Sequence, residues 1–342
     1  MVREGGFETL HLHTTTSDGK MNHTEALRVA ARNKVRVIAF TDHDAIPKAK
    51  DVAELKTYFR DHSTAWMMGI EVSSGLPREL GGGAYSGLHV VGLGVNPYDA
   101  RLGQYCDLSQ KARVERMERM VKNLRNLGFE ITEQDCLDSS GGESVARPHI
   151  VAALNLDGNE NNAKVFTGLI EDMKKNNPDQ YANMVGKGRQ SYPYELFLGD
   201  KAYTPGVYVD YLYVKELDES IGLIRGAGGV AVIAHYWTAR KKIGDDFLEK
   251  LFEERRLDGI ETVFGLDEYL SGSSVLNQVV DARMTAHRLA DAYGKLKTGG
   301  ADIHTEKQLV DFSNNVWYAK QTIGMAQSVV ERLGKNDWHT VK

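Results

Sequence analysis

The sequence predicts an α/β fold, a barrel or an open parallel sheet of repeated strand, helix, strand units, interrupted by an inserted, mostly helical subdomain. Three observations predict it. Uniformly apolar, β-branched runs recur, as in Val35–Thr41 (VRVIAFT) and Gly229–Ala234 (GVAVIA), and such runs suit parallel strands buried on both faces. Amphipathic stretches with apolar residues at helical spacing separate them. Between about 105 and 210 this rhythm stops, and a long charged helix begins the different segment.

Taken in order, Thr9–His13 reads as the first strand and Thr24–Asn33 as a helix with Ala26, Leu27, Ala30 and Ala31 on one face, leading into the Val35–Thr41 strand. Trp66–Val72 and Leu88–Val95 read as further strands, with glycine-rich Ser73–Gly87 between them as a loop. Leu108–Leu127 reads as a helix whose Val114, Met117, Val121 and Leu124 share a core face. Little strand signal follows until the alternation returns with a helix at Glu219–Ala227 and the Gly229–Ala234 strand. A helix at Asp246–Arg256, a strand at Leu257–Val263 and a helix at Gln278–Tyr293 come next. Lys297–His304 carries the last strand, and Trp317–Leu333 reads as one closing helix. The expected division is a barrel body from 1–104 and 211–342 around an insertion at 105–210.

With 342 residues, 42% hydrophobic and 26% charged, the chain can bury a full core without disulfides. Its two cysteines, Cys106 and Cys136, form no oxidised scaffold and no zinc-ribbon spacing, which predicts a reducing, cytoplasmic setting. No apolar run approaches the ~18 residues of a membrane span, and polar Met1–Thr9 lacks a secretory core. A net charge of −5 argues against a long nucleic-acid partner, while leaving room for a local anion site. Neither a membrane nor an obligate protein partner is expected.

The chemistry lies in where histidines and acids fall. His11 and His13, two apart in a strand, point to the same face, and Asp18 follows in a loop. His43 closes the VRVIAF strand, Glu71 ends the strand Met67–Ile70, His89 opens the next, His235 ends GVAVIA, and Asp302 and His304 follow the last strand. Any one of these is an ordinary satisfied histidine or capping acid. Six imidazoles and three carboxylates at strand margins are too many for one ion, because a catalytic zinc takes about three protein ligands. Two or three ions sharing a bridging carboxylate account for the set. Gly81-Gly82-Gly83 lacks the lysine and helix start of a phosphate loop, and His23, His62, His287 and His339 have no partners in the pattern.

In their order along the chain, His11-Leu12-His13 with Ser17-Asp18-Gly19, Thr41-Asp42-His43-Asp44, Gly69-Ile70-Glu71-Val72-Ser73, His89 before Val90-Val91-Gly92-Leu93, Ala234-His235, and Gly300-Ala301-Asp302-Ile303-His304 resemble the polymerase and histidinol phosphatase (PHP) superfamily of metal phosphoesterases. The resemblance covers about Thr9 to Thr305. It implies a distorted (β/α)7-type barrel whose strand ends hold two or three divalent ions, Mn, Zn or Fe. By the same resemblance His11, His13, Glu71 and Asp302 would bind the first ion, Glu71, His89 and His235 the second, and Asp18, His43 and His304 the third. Tyr236 stands where many members have proline.

Arg147-Pro148-His149-Ile150 and Lys201 in Asp200-Lys201-Ala202-Tyr203 further resemble the insertion of the branch that removes the 3'-phosphate from nucleoside 3',5'-bisphosphates and trims short oligonucleotides. This implies that Arg147, His149 and Lys201 donate to substrate phosphate, which suits a guanidinium fork, an imidazole and an ammonium. The segment Lys164–Tyr194 is longer than usual for that branch. Seven of the 15 tyrosines fall between Tyr181 and Tyr213, where they could stack a base or pack the insertion. The expected activity is phosphate ester hydrolysis by in-line attack of metal-bound hydroxide, with His235 and Asp18 as catalytic candidates. A cyclic phosphate diesterase, a histidinol-phosphate phosphatase and an inactive metal-binding module are the competing readings. A Schiff-base aldolase would need a strand-end lysine, and none is identifiable.

Overall fold

β1 (Phe7–Leu12) leads into α1 (His23–Arg32), where Asn22 accepts the Glu25 N–H while Glu25 accepts the Asn22 N–H, a reciprocal cap that satisfies two orphan donors. α1 buries Ala26, Leu27 and Ala30 and hands over to β2 (Val35–Phe40), which pairs in parallel with β1. This computed structural model describes residues 6–58, 64–82, 85–140, 144–264 and 273–334. α2 (Ala49–Tyr58) and β3 (Ala65–Gly75) follow, then β4 (Tyr85–Leu93) and the 27-residue α3 (Ala100–Asn126). The insertion carries α4 (Glu133–Ser140), α5 (Arg147–Ala153), α6 (Glu160–Asn176), α7 (Pro178–Gly186) and a π-helical turn at Tyr194–Leu198, and its described residues contain no strand. Then come α8 (Leu217–Gly226), β5 (Val230–Ile233), α9 (Tyr236–Glu253), β6 (Gly259–Val263), α10 (Ser273–Ala292) and β7 (Leu296–Gly299). Helices α11 (Glu306–Asn314), α12 (Val316–Lys320) and α13 (Met325–Arg332) complete the described chain.

The strands form one seven-stranded sheet in chain order. Beyond β7, Ile303 bridges Leu12, with His13 N–H donating to Ile303 O at 2.8 Å, so the sheet curls its last end back toward its first as a distorted barrel. The sheet is mixed, where the strand and helix rhythm predicted parallel pairing throughout. β4 runs antiparallel to both β3 and β5. The physical reason is the connection: residues 76–84 are too few for the crossover that a parallel pair needs, and their described part carries a 3-10 turn at Arg78–Leu80. β3 therefore changes partner midway, parallel to β2 through Met68 and antiparallel to β4 from Gly69. At that switch a Cβ on Gly69 would lie 2.6 Å from Gly92 O and 2.9 Å from Thr41 Cγ2, so only glycine admits the approach.

The same antiparallel pairing corrects two local expectations, and the helices bring further ones. Glu71 sits inside β3 and not at its end, because β4 carries the strand on to Gly75 and shortens the expected loop. His89 lies within β4, opposite Ser73, and does not open the strand. The closing helix is two helices, α12 and α13, parted at Gly324 with φ of +87°. α9 also begins ten residues before the expected Asp246, with a break at Gly244, where φ is +73°. Of the residues set aside in the sequence, His62, Gly83 and His339 lie outside the described residues.

The chain divides into two compact units, one built from residues up to Ser109 and from Tyr213 onward, the other from Gln110–Leu212. Leu10, Ile38, Phe40, Ile70, Val90, Val232 and Ile260 belong to the core of the first. In the second, the apolar face of α3 (Met117, Val121 and Leu124) packs with Phe129, Ile150 and Phe197. No helix among the described residues is long and apolar enough to cross a membrane.

Candidate active site

The first unit gathers all nine predicted imidazole and carboxylate residues around Glu71, which is fully buried. β1 supplies His11 and, one residue past its end, His13; β3 supplies Glu71, β4 His89, the end of β5 His235, and the turn after β7 Asp302 and His304. Three residues here, Asp44, His235 and Asp302, hold the left-handed backbone conformation (φ of +49°, +25° and +52°) that non-glycine residues rarely adopt. Such backbone persists only where surrounding structure enforces it. Asp44 is held in this way, accepting from Ser73 N–H at 2.7 Å and Tyr105 O–H at 2.5 Å. Asp42 accepts from Thr14 N–H at 2.7 Å, Thr14 Oγ1–H at 2.8 Å and Ser17 Oγ–H at 2.6 Å, which shapes the loop leading to Asp18.

Glu71 Oε2 stands 3.2 Å from both His11 Nε2 and His13 Nε2, and those nitrogens are 3.3 Å and 3.0 Å from Asp302 Oδ1. Glu71 Oε1 stands 2.8 Å from His89 Nδ1 and 3.0 Å from His235 Nε2. His43 Nδ1 is 3.0 Å from Glu71 Oε2, and His304 Nε2 is 3.3 Å from Asp18 Oδ1. Three groups have donor atoms close enough to share an ion: His11, His13, Glu71 and Asp302; His43, Glu71 and His89; and His13, Asp18, His43 and His304. The first is the expected set. In the other two, His43 groups with Glu71 and His89 as well as with Asp18, and His13 joins the third set.

The donors fit divalent ions. Metal bonds of about 2.0–2.2 Å put neighbouring donors roughly 3 Å apart, as seen here. Asp18 Oδ1, His43 Nδ1, Glu71 Oε2 and Asp302 Oδ1 are buried yet make no hydrogen bond. Leaving one such atom unsatisfied costs about 1–3 kcal/mol, and a shared cation satisfies several at once. The far sides of three rings are already committed. His11 Nδ1–H donates to Glu261 Oε1 at 2.8 Å and His304 Nδ1–H to Asp302 O at 2.9 Å. Thr238 Oγ1–H donates to His235 O, so Oγ1 accepts His235 Nδ1–H at 2.8 Å. Each arrangement turns an Nε2 lone pair toward the cluster.

Without ions, protons take the cationic role. Burial opposes charge on His13, but the carboxylates of Asp302 and Glu71, at 3.0 Å and 3.2 Å from its Nε2, outweigh it and raise the imidazole to about 10. His11 is raised well above its ordinary value against the same burial, by the charges of Glu261, Glu71 and Asp302. Burial pushes Asp18 and Glu71 up, yet the surrounding imidazoles hold both well below the usual carboxylate range. His89 moves the other way, lowered by burial in spite of Glu71.

The three predicted phosphate residues lie in the second unit and differ from one another. Arg147 opens α5, donates from Nη1 to Leu198 O at 3.1 Å and lies over the rings of Tyr194 and Tyr208. His149 is fully buried and its Nδ1 accepts Ala146 N–H at 3.0 Å, so one nitrogen closes the start of α5. Lys201 is exposed. Tyr208 and Tyr211 take up arginines: Arg116 sits 4.1 Å from the Tyr211 ring centroid and 5.2 Å from that of Tyr208, and Arg113 sits 5.2 Å from that of Tyr211. Tyr203 donates to Asp172, Tyr181 and Tyr192 pack on the second core, and Tyr213 packs on the first.

Sequence reasoning missed Arg113, Arg116 and Glu261. The two arginines are 4% exposed, three apart on the polar side of the helix read only for its apolar face. Neither Arg116 nor Arg147 has a carboxylate partner among the described residues, and Arg116 Nη2 is buried without a hydrogen bond. Burial, with the charges of Arg147 and Arg113, lowers the Arg116 guanidinium. A carboxylate inside the apolar strand GIETV was the visible signal for Glu261.

No family model matches the sequence. The chain is 27% identical over 302 residues to a 3',5'-nucleoside bisphosphate phosphatase of Chromobacterium violaceum, covering 86% of each. It is 24% identical over 308 residues to a 5'-3' exoribonuclease of Haemophilus influenzae, covering 90% of this chain and 93% of that one. A metal-dependent phosphoesterase structure from Bifidobacterium adolescentis shares the fold, with a TM-score of 0.65 at 20% identity over 96% of each chain. In its ordered ligand pattern, its distorted barrel and its likeness to these relatives along most of the sequence, the chain resembles the PHP superfamily of metal-dependent phosphoesterases.

Proposed function

We propose that this protein removes a phosphate, the 3'-phosphate, from nucleoside 3',5'-bisphosphates and trims short oligonucleotides in the 5'-3' direction. The observation that carries the reading is the Glu71-centred cluster, whose buried donors lack hydrogen bonds. The relatives named for a bisphosphate phosphatase and an exoribonuclease support the choice of substrate. We assign His11, His13, Asp18, His43, Glu71, His89, His235, Asp302 and His304 to two or three divalent ions, Mn, Zn or Fe. Such ions supply an activated water and neutralise charge on the phosphoryl oxygens.

The protein's own groups have definable tasks. Asp18, held ionised by His304, His43 and His13 against its burial, suits a proton acceptor. His235 keeps its Nδ1 proton on Thr238 and so presents an Nε2 lone pair, which suits a metal ligand and leaves a water as the source of the proton for the leaving oxygen. The 105–210 insertion serves as the substrate subdomain, with Arg147 and Lys201 donating to phosphate and Arg113 and Arg116 reinforcing Arg147. His149 contributes chiefly by fixing the first turn of α5.

Arg147→Ala should raise KM for a 3',5'-bisphosphate about 10- to 100-fold, since a charge-assisted hydrogen bond contributes about 1.5–3 kcal/mol. KM for a simple mononucleotide should change little. Steady-state kinetics on both substrates test this, and equal shifts on the two would remove the arginines from phosphate recognition.

A further inference from the structure

We propose that Glu261 is a positioning residue for the metal centre, holding two ligand residues in register through its two carboxylate oxygens. Glu261 lies in β6 and is 1% exposed within a strand buried at every position. Its Oε1 accepts His11 Nδ1–H at 2.8 Å, and its Oε2 accepts His235 N–H at 2.5 Å. One carboxylate thus ties the β1 ligand to the residue that follows β5.

The two contacts do different work. At His11 the carboxylate keeps the proton on Nδ1, which leaves the Nε2 lone pair facing His13, Glu71 and Asp302. At His235 it anchors a backbone with φ of +25°, a conformation that needs outside support. Glutamine in place of Glu261 cannot do both, because its amide has one acceptor oxygen and its NH2 can only donate. Turned toward His11, that NH2 forces the proton onto Nε2 and removes a metal ligand; turned toward His235, it opposes a backbone N–H.

The inference rests on the metal centre assigned above, and the experiment separates the two. Zn2+ affinity is measured by chelator competition for the wild-type protein and E261Q, beside thermal unfolding of both without metal. Weakening of 10- to 100-fold in E261Q, with metal-free unfolding near that of the wild type, is the expected result. Affinity within twofold of the wild type overturns the role of Glu261 alone, whereas a wild-type protein that binds no Zn2+ overturns the metal centre and this role together. Should E261Q not fold, 15N-histidine NMR of the Zn2+-loaded wild type decides. His11 protonated on Nδ1 and metal-bound through Nε2 is expected, and the opposite tautomer overturns the proposal.

Discussion

Glu71→Gln should cut turnover by orders of magnitude and cost the protein at least one bound divalent ion. Glu71 is fully buried, and its two oxygens face five imidazoles, those of His11, His13, His43, His89 and His235, at 2.8–3.2 Å. Glutamine keeps the shape while deleting the charge, and it turns an NH2 toward ring nitrogens that must stay unprotonated to bind metal. Breaking a buried ionic arrangement by removing one partner costs about 3–5 kcal/mol, so kcat/KM should fall roughly 100- to 10,000-fold. Metal content by mass spectrometry should fall by at least about one ion per chain, because Glu71 is shared between two of the donor groups. Phosphate release and metal analysis on the same preparation check this. A variant with full metal content and activity within tenfold of the wild type would contradict the bridging role.

Loading the protein with Zn2+ or Mn2+ at pH 7.5 releases protons, and acidification reverses the loading. In the metal-free state His13 titrates at about 10, and His11, His235 and His304 are all raised from 6.5 by neighbouring carboxylates against the cost of burial. His13 therefore carries a proton at neutral pH, whereas a metal ligand must be neutral imidazole. The signs for folding and for metal binding are opposite. For folding of the metal-free protein, a raised histidine contributes stability that is complete below its unfolded value of 6.5 and disappears as pH climbs through about 10 for His13. For metal binding, each displaced proton lowers apparent affinity roughly tenfold per unit fall in pH. The metal-free fold should therefore tolerate mild acid while metal-dependent activity declines from pH 8 to pH 6. Calorimetric metal titration in two buffers of different ionisation heat counts the protons. Binding with no proton release would show that the rings are neutral before metal arrives.

The gathering of these imidazoles and carboxylates was legible because it is written in residue type and strand margin: His11 and His13 on one strand face and Asp302-Ile303-His304 past the last strand. The register of Glu71 and His89 was not legible. Whether a strand stops or continues depends on a partner, and the antiparallel β4 that prolongs β3 is a tertiary event that apolar periodicity cannot encode. Parallel pairing was overpredicted for the same reason, since only the short 76–84 connection distinguished a hairpin from a crossover. Arg113 and Arg116 escaped notice because charged residues on a helix are usually solvated, and only folding buried them beside Tyr208 and Tyr211. His149 shows the converse, since the sequence offered a phosphate donor and the fold engages one of its nitrogens in a helix start.

Phosphate release tests the central claim most directly, measured on a nucleoside 3',5'-bisphosphate, a mononucleotide, histidinol phosphate and a cyclic phosphodiester, each with Mn, Zn or Fe and each after chelation. The account predicts release that requires metal and is fastest on the 3',5'-bisphosphate. Faster release from histidinol phosphate or the cyclic ester would move the substrate elsewhere, and no release from any of them with metals fully loaded would contradict the hydrolase itself.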